Sequence, residues 1–222
     1  MLEFLADSLQ WVAEQPAVLK FALVFVFMAV ESSFIPFPSE VVMIPAGFMA
    51  ARLELGCAPC VALGIAIALG IAGSLAGAYA NYGLSARLGK PFLLKYGKYF
   101  FVKPAPLERA CEVFNRYGAA TTFVCRLVPV IRQLISIPAG ISRMPLGAFT
   151  LYTGLGAGIW TVVLAVIGYG LGASAGDMTY RDLVFKGKAT AAENLPLVIG
   201  GALALVFLYW LAGRLVMGRK KS

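Results

Sequence analysis

Two short, proline-containing stretches of this chain carry charges between apolar runs: Glu31-Ser-Ser-Phe-Ile-Pro-Phe-Pro-Ser-Glu40 and Arg126-Leu-Val-Pro-Val-Ile-Arg132. A charge in such surroundings costs about 2.5–3.5 kcal/mol on membrane-insertion scales, and it is retained where it faces a cavity or a partner. Arginine keeps its proton under cellular conditions, and its planar fork suits phosphate oxygens. Arg126 and Arg132 are therefore candidates for binding an anionic headgroup. A desolvated carboxylate takes up a proton more readily than one in water. Glu31 and Glu40 are accordingly candidate proton-coupling groups that compete with the anion for the arginines. Alternation between the two would couple a proton gradient to transport. The plainer alternative is that these acids and bases pair only to hold the two stretches together.

The elements that must position these residues follow from the spacing of charge. Uncharged runs over residues 55–86 and 144–176, and a third within 194–217, each offer the ~20 residues a helix needs to cross the hydrocarbon core. Transmembrane helices are expected there. Four further runs, residues 21–30, 41–51, 117–125 and 133–142, are too short to span. They flank the two charged stretches in pairs, which predicts two re-entrant helical hairpins over 18–51 and 117–142, with tips at Pro36, Pro38 and Pro129. Broken backbone at that depth is tolerated only when buried in protein or facing a watery cavity. The apolar residues Leu2, Leu5, Leu9 and Val12 have helical spacing, consistent with an interfacial helix over 1–16. The expected fold class is an all-α integral membrane protein, one membrane domain over 1–222. Glycines at four-residue spacing within the long runs (Gly73 and Gly77, Gly154 and Gly158, with Gly70 nearby) are read as close-packing positions between helices.

The hairpins are related. Residues 35–47 align without gaps on 128–140, matching Pro36 to Pro129 and Ile44-Pro-Ala-Gly47 to Ile137-Pro-Ala-Gly140. A glycine-rich run ending near Tyr-Gly-Leu, at residues 82–84 and 169–171, follows each. This is an internal repeat. One expected crossing, 55–86, separates the copies, so they enter from opposite sides and the repeat is inverted. Inverted repeats with broken helices place a transport site where the halves meet. The segment 87–116 holds seven basic and two acidic residues, and the C-terminus ends in Arg219, Lys220 and Lys221. Both belong in the cytoplasm by the positive-inside rule, with the N-terminus outside.

Composition agrees. Hydrophobic residues make up 60% of the 222 and charged residues 14%, at a net charge of +8. Such a chain is no soluble basic protein, so nucleic acid is not an expected partner, and the charge is read as topology and attraction to anionic lipid. No cleavable signal peptide is expected, because Glu3 and Asp7 stand where one would carry bases. Cys57-Ala-Pro-Cys60 has metal-motif spacing, but without any histidine in the chain it is read as apolar packing. No metal or cofactor is expected.

The motif from Glu31 to Glu40, the glycine-rich helix, Phe123-x-x-Arg126-x-x-Pro129-x-x-Arg132 and the two Ile-Pro-Ala-Gly segments together resemble the DedA family, also called the SNARE-associated Golgi or VTT-domain family. The resemblance covers roughly residues 21–171. It implies functional acids at Glu31 and Glu40 and functional arginines at Arg126 and Arg132. It also implies translocation of a membrane lipid, such as the carrier undecaprenyl phosphate, in the bacterial inner membrane. Many members have Pro-Gly-Asp where this chain has Pro38-Ser39-Glu40, which keeps the charge on a longer arm. Two other classes compete with this transporter reading: an ion/proton antiporter, which needs the acids more than the arginines, and an intramembrane lipid (pyro)phosphatase. For the phosphatase, Ser32, Ser33, Ser39 and Ser136 lie near the tips without an evident activating base.

Overall fold

The structure, a computed structural model, describes residues 2–33, 35, 38–96, 112, 114, 120–127, 131–174, 176 and 180. Among these there are helices and no strands. Residues Val12–Gly176 form one compact unit and carry everything that follows; Met1–Trp11 with Asp177–Ser222 form another. In that second unit the described part is the beginning of α1 (Leu2–Glu14) and Tyr180. The expected span within 194–217 lies outside the described residues, as does most of the basic segment 87–116.

Helix α2 (Ala17–Glu31) and helix α3 (Glu40–Ala51) are the arms of the first charged stretch. Lys20 lies within α2 rather than before it. It is buried, and its ammonium donates to Glu54 O at 2.7 Å. A lysine satisfied by a backbone carbonyl need not end an apolar helix, which is why the run of uncharged residues understated the length of α2. Helix α3 contains Pro45, which lacks the N–H to bond the carbonyl four residues back. Beyond the next loop, α4 (Pro59–Tyr96) is a long apolar helix interrupted at Gly89, whose φ of 72° and ψ of 171° lie in a region only glycine occupies readily.

The second charged stretch is built from shorter pieces: α5 (Ala120–Arg126), α6 (Ile131–Leu134) and α7 (Ser136–Ile141). Its outgoing arm is thus two short helices rather than one. It leads into α8 (Leu146–Ser174). Among the described residues two helices are long and apolar enough to cross a membrane, Pro59–Gly89 and Leu146–Ser174, with mean hydropathies of 2.1 and 1.8. At 1.5 Å per residue each is about 45 Å long, more than the roughly 30 Å hydrocarbon core, so a crossing by either involves tilt or overhang. They match the expected spans 55–86 and 144–176 to within a few residues.

The arms pack on these long helices through glycine. A Cβ on Gly73 or Gly77 of α4 would overlap the carbonyls of Phe25 and Ala29, so α2 lies backbone-to-backbone on α4. The repeated Ile-Pro-Ala-Gly segments cross over instead. A Cβ on Gly47 of α3 would overlap Ala165 O of α8, and one on Gly140 of α7 would overlap Tyr82 O of α4. Each segment therefore seats on the long helix that follows the other copy. In α8 the close approaches are made by Gly156, Gly168 and Gly172, whereas Gly154, expected to pack, has open space around it. Gly158 only touches Ile71 at ordinary van der Waals range. In α4 the expected Gly70, Gly73 and Gly77 all meet a neighbour, whereas in α8 the close approaches fall on other glycines than the Gly154 and Gly158 that the spacing singled out.

Among the described residues, two apolar clusters flank the polar centre. One joins Val24, Met28, Val42, Met43 and Leu164 from α2, α3 and α8. The other joins Ala78, Cys125, Ile135, Ala139 and Phe149 from α4, α5, α7 and α8, with Ile135 between α6 and α7.

Candidate functional site

Glycine packing sets the depth of the first acid. Because α2 lies directly on Gly77, its last residue, Glu31, is only 3% exposed. Asn81, one turn further along α4, donates from Nδ2 to Ser32 O at 3.2 Å and fixes the end of α2. Ser32 Oγ donates to Glu31 Oε2 at 2.8 Å. The other carboxylate oxygen, Oε1, lies 2.6 Å from Arg132 Nη2. A buried carboxylate is stable only with partners of this kind.

Arg132 reaches the acid from α6. Its Nη2 also donates to Ser39 Oγ at 2.9 Å, and Trp160 Nε1 of α8 donates to the same oxygen at 3.2 Å. The guanidinium carbon lies 5.6 Å from the centroid of the Trp160 ring, within cation–π range. Arg126 ends α5. A Cβ on Gly156 of α8 would lie 2.7 Å from Arg126 Cβ, so that glycine makes room for the arginine. Arg126 is buried, and its Nη2 donates to Ser136 Oγ at 2.9 Å, while its Nε has no hydrogen-bond partner among the described residues.

These side chains line one cavity, with Glu31, Ser32 and Ser39 on one side and Arg126, Arg132 and Trp160 on the other. Ser74 of α4 and Thr161 of α8 close it. Its volume, about 20 Å³, takes a water molecule and is too small for a phosphate group. In this arrangement Glu31 stands where an anionic oxygen would meet Arg132. Two guanidinium groups and one carboxylate line this cavity, leaving one more positive than negative charge on it.

Three of the four charged residues singled out in the sequence are thus brought together: Glu31, Arg126 and Arg132. Glu40 is not among them. It begins α3, is half-buried, makes no ion pair with a described residue and does not line the cavity. A carboxylate in the first turn of a helix is favoured by the helix dipole, which accounts for its position there. Pro36 and Pro129 lie outside the described residues, and Pro38 is exposed next to Ser39. Among the described residues no group of metal-ligating side chains is assembled. Cys57 and Cys60 are free thiols, half-buried and exposed, respectively.

Reading charges alone passed over Trp160, Asn81, Ser74 and Thr161. All four are polar or amphipathic side chains inside runs made mostly of Ala, Gly, Leu, Ile and Val. In an apolar helix such residues usually face the protein interior. The repeat carried a further signal. Ser74 and Thr161 each stand eight residues before the tyrosine of Tyr-Gly-Leu, Tyr82 and Tyr169. Ser39 and Arg132, each three residues after the matched prolines Pro36 and Pro129, touch one another.

The VTT domain matches this chain over residues 19–170. An alkaline phosphatase-like protein of Lactococcus lactis subsp. lactis is 40% identical over 157 residues, covering 68% of this chain and 70% of the relative. Undecaprenyl phosphate transporter A of Bacillus subtilis is 36% identical over 141 residues, or 64% of this chain and 68% of the relative. Undecaprenyl phosphate transporter A of Staphylococcus aureus is 32% identical over 170 residues, or 74% and 83%. No solved structure matches.

Proposed function

The chain belongs to the VTT-domain family, and from that premise we propose that it carries a lipid phosphate, such as undecaprenyl phosphate, across the bacterial inner membrane with proton coupling. The observation that carries this reading is the 2.6 Å pair between Glu31 and Arg132, set beside the buried Arg126 in one cavity. Glu31 acts as a stand-in for the substrate. A phosphate oxygen arriving at Arg132 displaces the carboxylate, which leaves with a proton taken up as it loses its partner. Release of the phosphate lets Glu31 give up that proton and return. Glu40 supplies a second, outlying acid at the start of α3.

The family's relatives named as transporters support transport over catalysis; the relative named alkaline phosphatase-like keeps the hydrolytic alternative in view. A phosphatase would need a nucleophile beside a base. Ser32, whose Oγ donates to Glu31 Oε2 at 2.8 Å, is among the described residues the serine that makes such a contact, so release of phosphate is the measurement that separates the two readings.

Two observations support an inverted repeat of re-entrant hairpins as the frame for alternating access. The Ile-Pro-Ala-Gly segments exchange partners, Gly47 on α8 and Gly140 on α4. Contact between the equivalent residues Ser39 and Arg132 is what a local two-fold axis through the cavity produces. The segments 18–51 and 117–142 then open to opposite faces, with the N-terminus outside and the C-terminus in the cytoplasm.

The test is transport of a fluorescent polyprenyl phosphate in proteoliposomes, with and without an imposed proton gradient. Arg126→Lys and Arg132→Lys keep the charge and lose the fork, and each is expected to cut binding and transport at least tenfold while the protein stays folded. Normal binding by both variants would remove phosphate recognition. Release of inorganic phosphate from lipid pyrophosphate would favour the hydrolytic reading.

A further inference from the structure

We propose that Thr161 and Ser74 are specificity-determining ligands that complete the shell around the free oxygens of a phosphomonoester. The inference rests on the phosphate reading above and adds to it two residues that carry no charge.

Thr161 is 1% exposed and lines the cavity from α8. Its Oγ1 has no hydrogen-bond partner among the described residues. A threonine inside a helix ordinarily satisfies its hydroxyl by bonding the carbonyl four residues back. Thr150 does this in the same helix, donating to Leu146 O at 2.7 Å. Thr161 does not. Its methyl group is held against α4, where a Cβ on Gly70 would lie 2.9 Å from Thr161 Cγ2. The rotamer is therefore fixed by packing. The hydroxyl stays unbonded in a helix that offers it a carbonyl.

Arg126 Nε is the second buried polar atom on this cavity without a partner among the described residues. An unmade hydrogen bond at a buried group is unfavourable, and two on one small cavity mark a place where a ligand supplies the missing acceptor. Ser74, 2% exposed, lines the same cavity from α4 at the position the repeat makes equivalent to Thr161. The two long helices thus each bring one hydroxyl, while α5 and α6 each bring one guanidinium.

This donor set fits a terminal phosphate better than a diester. A monoester presents three free oxygens and up to two negative charges; a diester presents two oxygens and one charge. Arg126 and Arg132 balance the dianion when Glu31 has taken a proton, and the two hydroxyls serve the oxygens that the forks leave open. Lipid headgroup and free phosphate share this chemistry, so both are needed as probes.

The experiment measures binding of a short-chain polyprenyl phosphate, the matching polyprenyl phosphodiester and inorganic phosphate to purified protein in detergent, alongside thermal melting without ligand. Thr161→Val keeps the shape and removes the hydroxyl. It is expected to weaken polyprenyl phosphate binding about tenfold, the worth of one charge-assisted hydrogen bond, and to narrow the preference over the diester. The melting temperature of the empty protein should hold or rise, because an unpaired buried hydroxyl has been removed. Thr161→Ser should retain binding, and Ser74→Ala should add to the loss. Unchanged binding by the Thr161→Val, Ser74→Ala double variant overturns the inference, as does a loss of binding matched by a fall in melting temperature. Arg132→Lys serves as the separate check. If it abolishes binding while the double variant binds normally, the phosphate reading stands and this inference alone fails. If inorganic phosphate binds as tightly as the lipid, the site serves free phosphate.

Discussion

Arg132 holds both Glu31 and Ser39 through the one nitrogen Nη2. Under the proposed mechanism a phosphate gripped by the whole fork competes with Glu31 for that nitrogen, which assigns to Glu31 the exchange of substrate and proton. Glu31→Gln removes the competitor and leaves the guanidinium without its buried counter-charge, a change that destabilises by about 3–5 kcal/mol in other proteins. The empty variant is therefore expected to melt at a lower temperature than the wild type and to recover on adding polyprenyl phosphate, while its transport no longer responds to a proton gradient. Glu40→Gln should do much less, because Glu40 stands off the cavity. Melting curves and proteoliposome transport on both variants decide this; an undiminished gradient response in Glu31→Gln would end the assignment. Arg126, Arg132 and Glu31 were legible in the sequence because charge in an apolar run is rare and needs a reason. Glu40 was equally legible as a charge, but sequence spacing alone does not say which of two acids nine residues apart turns inward. Trp160 and Thr161 were hidden for the opposite reason: they carry no charge to interrupt their run, and only the packing of α8 on α4 and α6 gives them a role.

Glycines translate those residue positions into helix positions. The two long helices were readable from length and hydropathy alone, and the repeated Ile-Pro-Ala-Gly segments were readable as equivalents. Their exchange of partners was not, because a repeat in sequence says that two segments are alike without saying which neighbour each one meets. Nor does four-residue spacing identify which glycine faces a partner, as open space at Gly154 and the tight fit of Gly168 against Ile44 demonstrate. The contrast gives a direct test. Gly47→Ala and Gly140→Ala place a methyl group into a facing backbone carbonyl, which neither helix can yield without moving apart. Overpacking of this kind is expected to cost about 1–3 kcal/mol or more. Gly64→Ala and Gly154→Ala meet nothing within 4 Å and replace a poor helix former with a good one, so a gain of up to about 1 kcal/mol is expected. Thermal unfolding of the four variants in detergent checks it. Equal melting temperatures for all four would mean that the crossed seats at Gly47 and Gly140 do not hold the arms.

For the molecule as a whole, the question is which face of the membrane each charged hairpin opens toward. In the proposed topology α4 and α8 each cross once, so the α4 crossing separates the loop before α4 from the loop before α8. The hairpin formed by α2 and α3 would begin and end on the side of the first loop, and that formed by α5 to α7 on the side of the second. Charge orients the pair in the proposed topology. With the basic residues clustered over 87–116 assigned to the cytoplasm by the positive-inside rule, that topology puts the α7–α8 loop there as well and the α3–α4 loop outside. Leu53 and Ser142 are exposed in these two loops and therefore suit the measurement. In a variant whose native cysteines are replaced by alanine, Leu53→Cys should react with a membrane-impermeant maleimide in intact cells. Ser142→Cys should react only after the membrane is permeabilised. An inverted arrangement would make the cavity reachable from both faces in turn, with each hairpin contributing one member of the Ser39–Arg132 contact. Labelling of both positions from the same side would place both hairpins on one face of the membrane. The Glu31–Arg132 pair would then be a fixed internal bridge, and alternating access through this cavity would have to be abandoned.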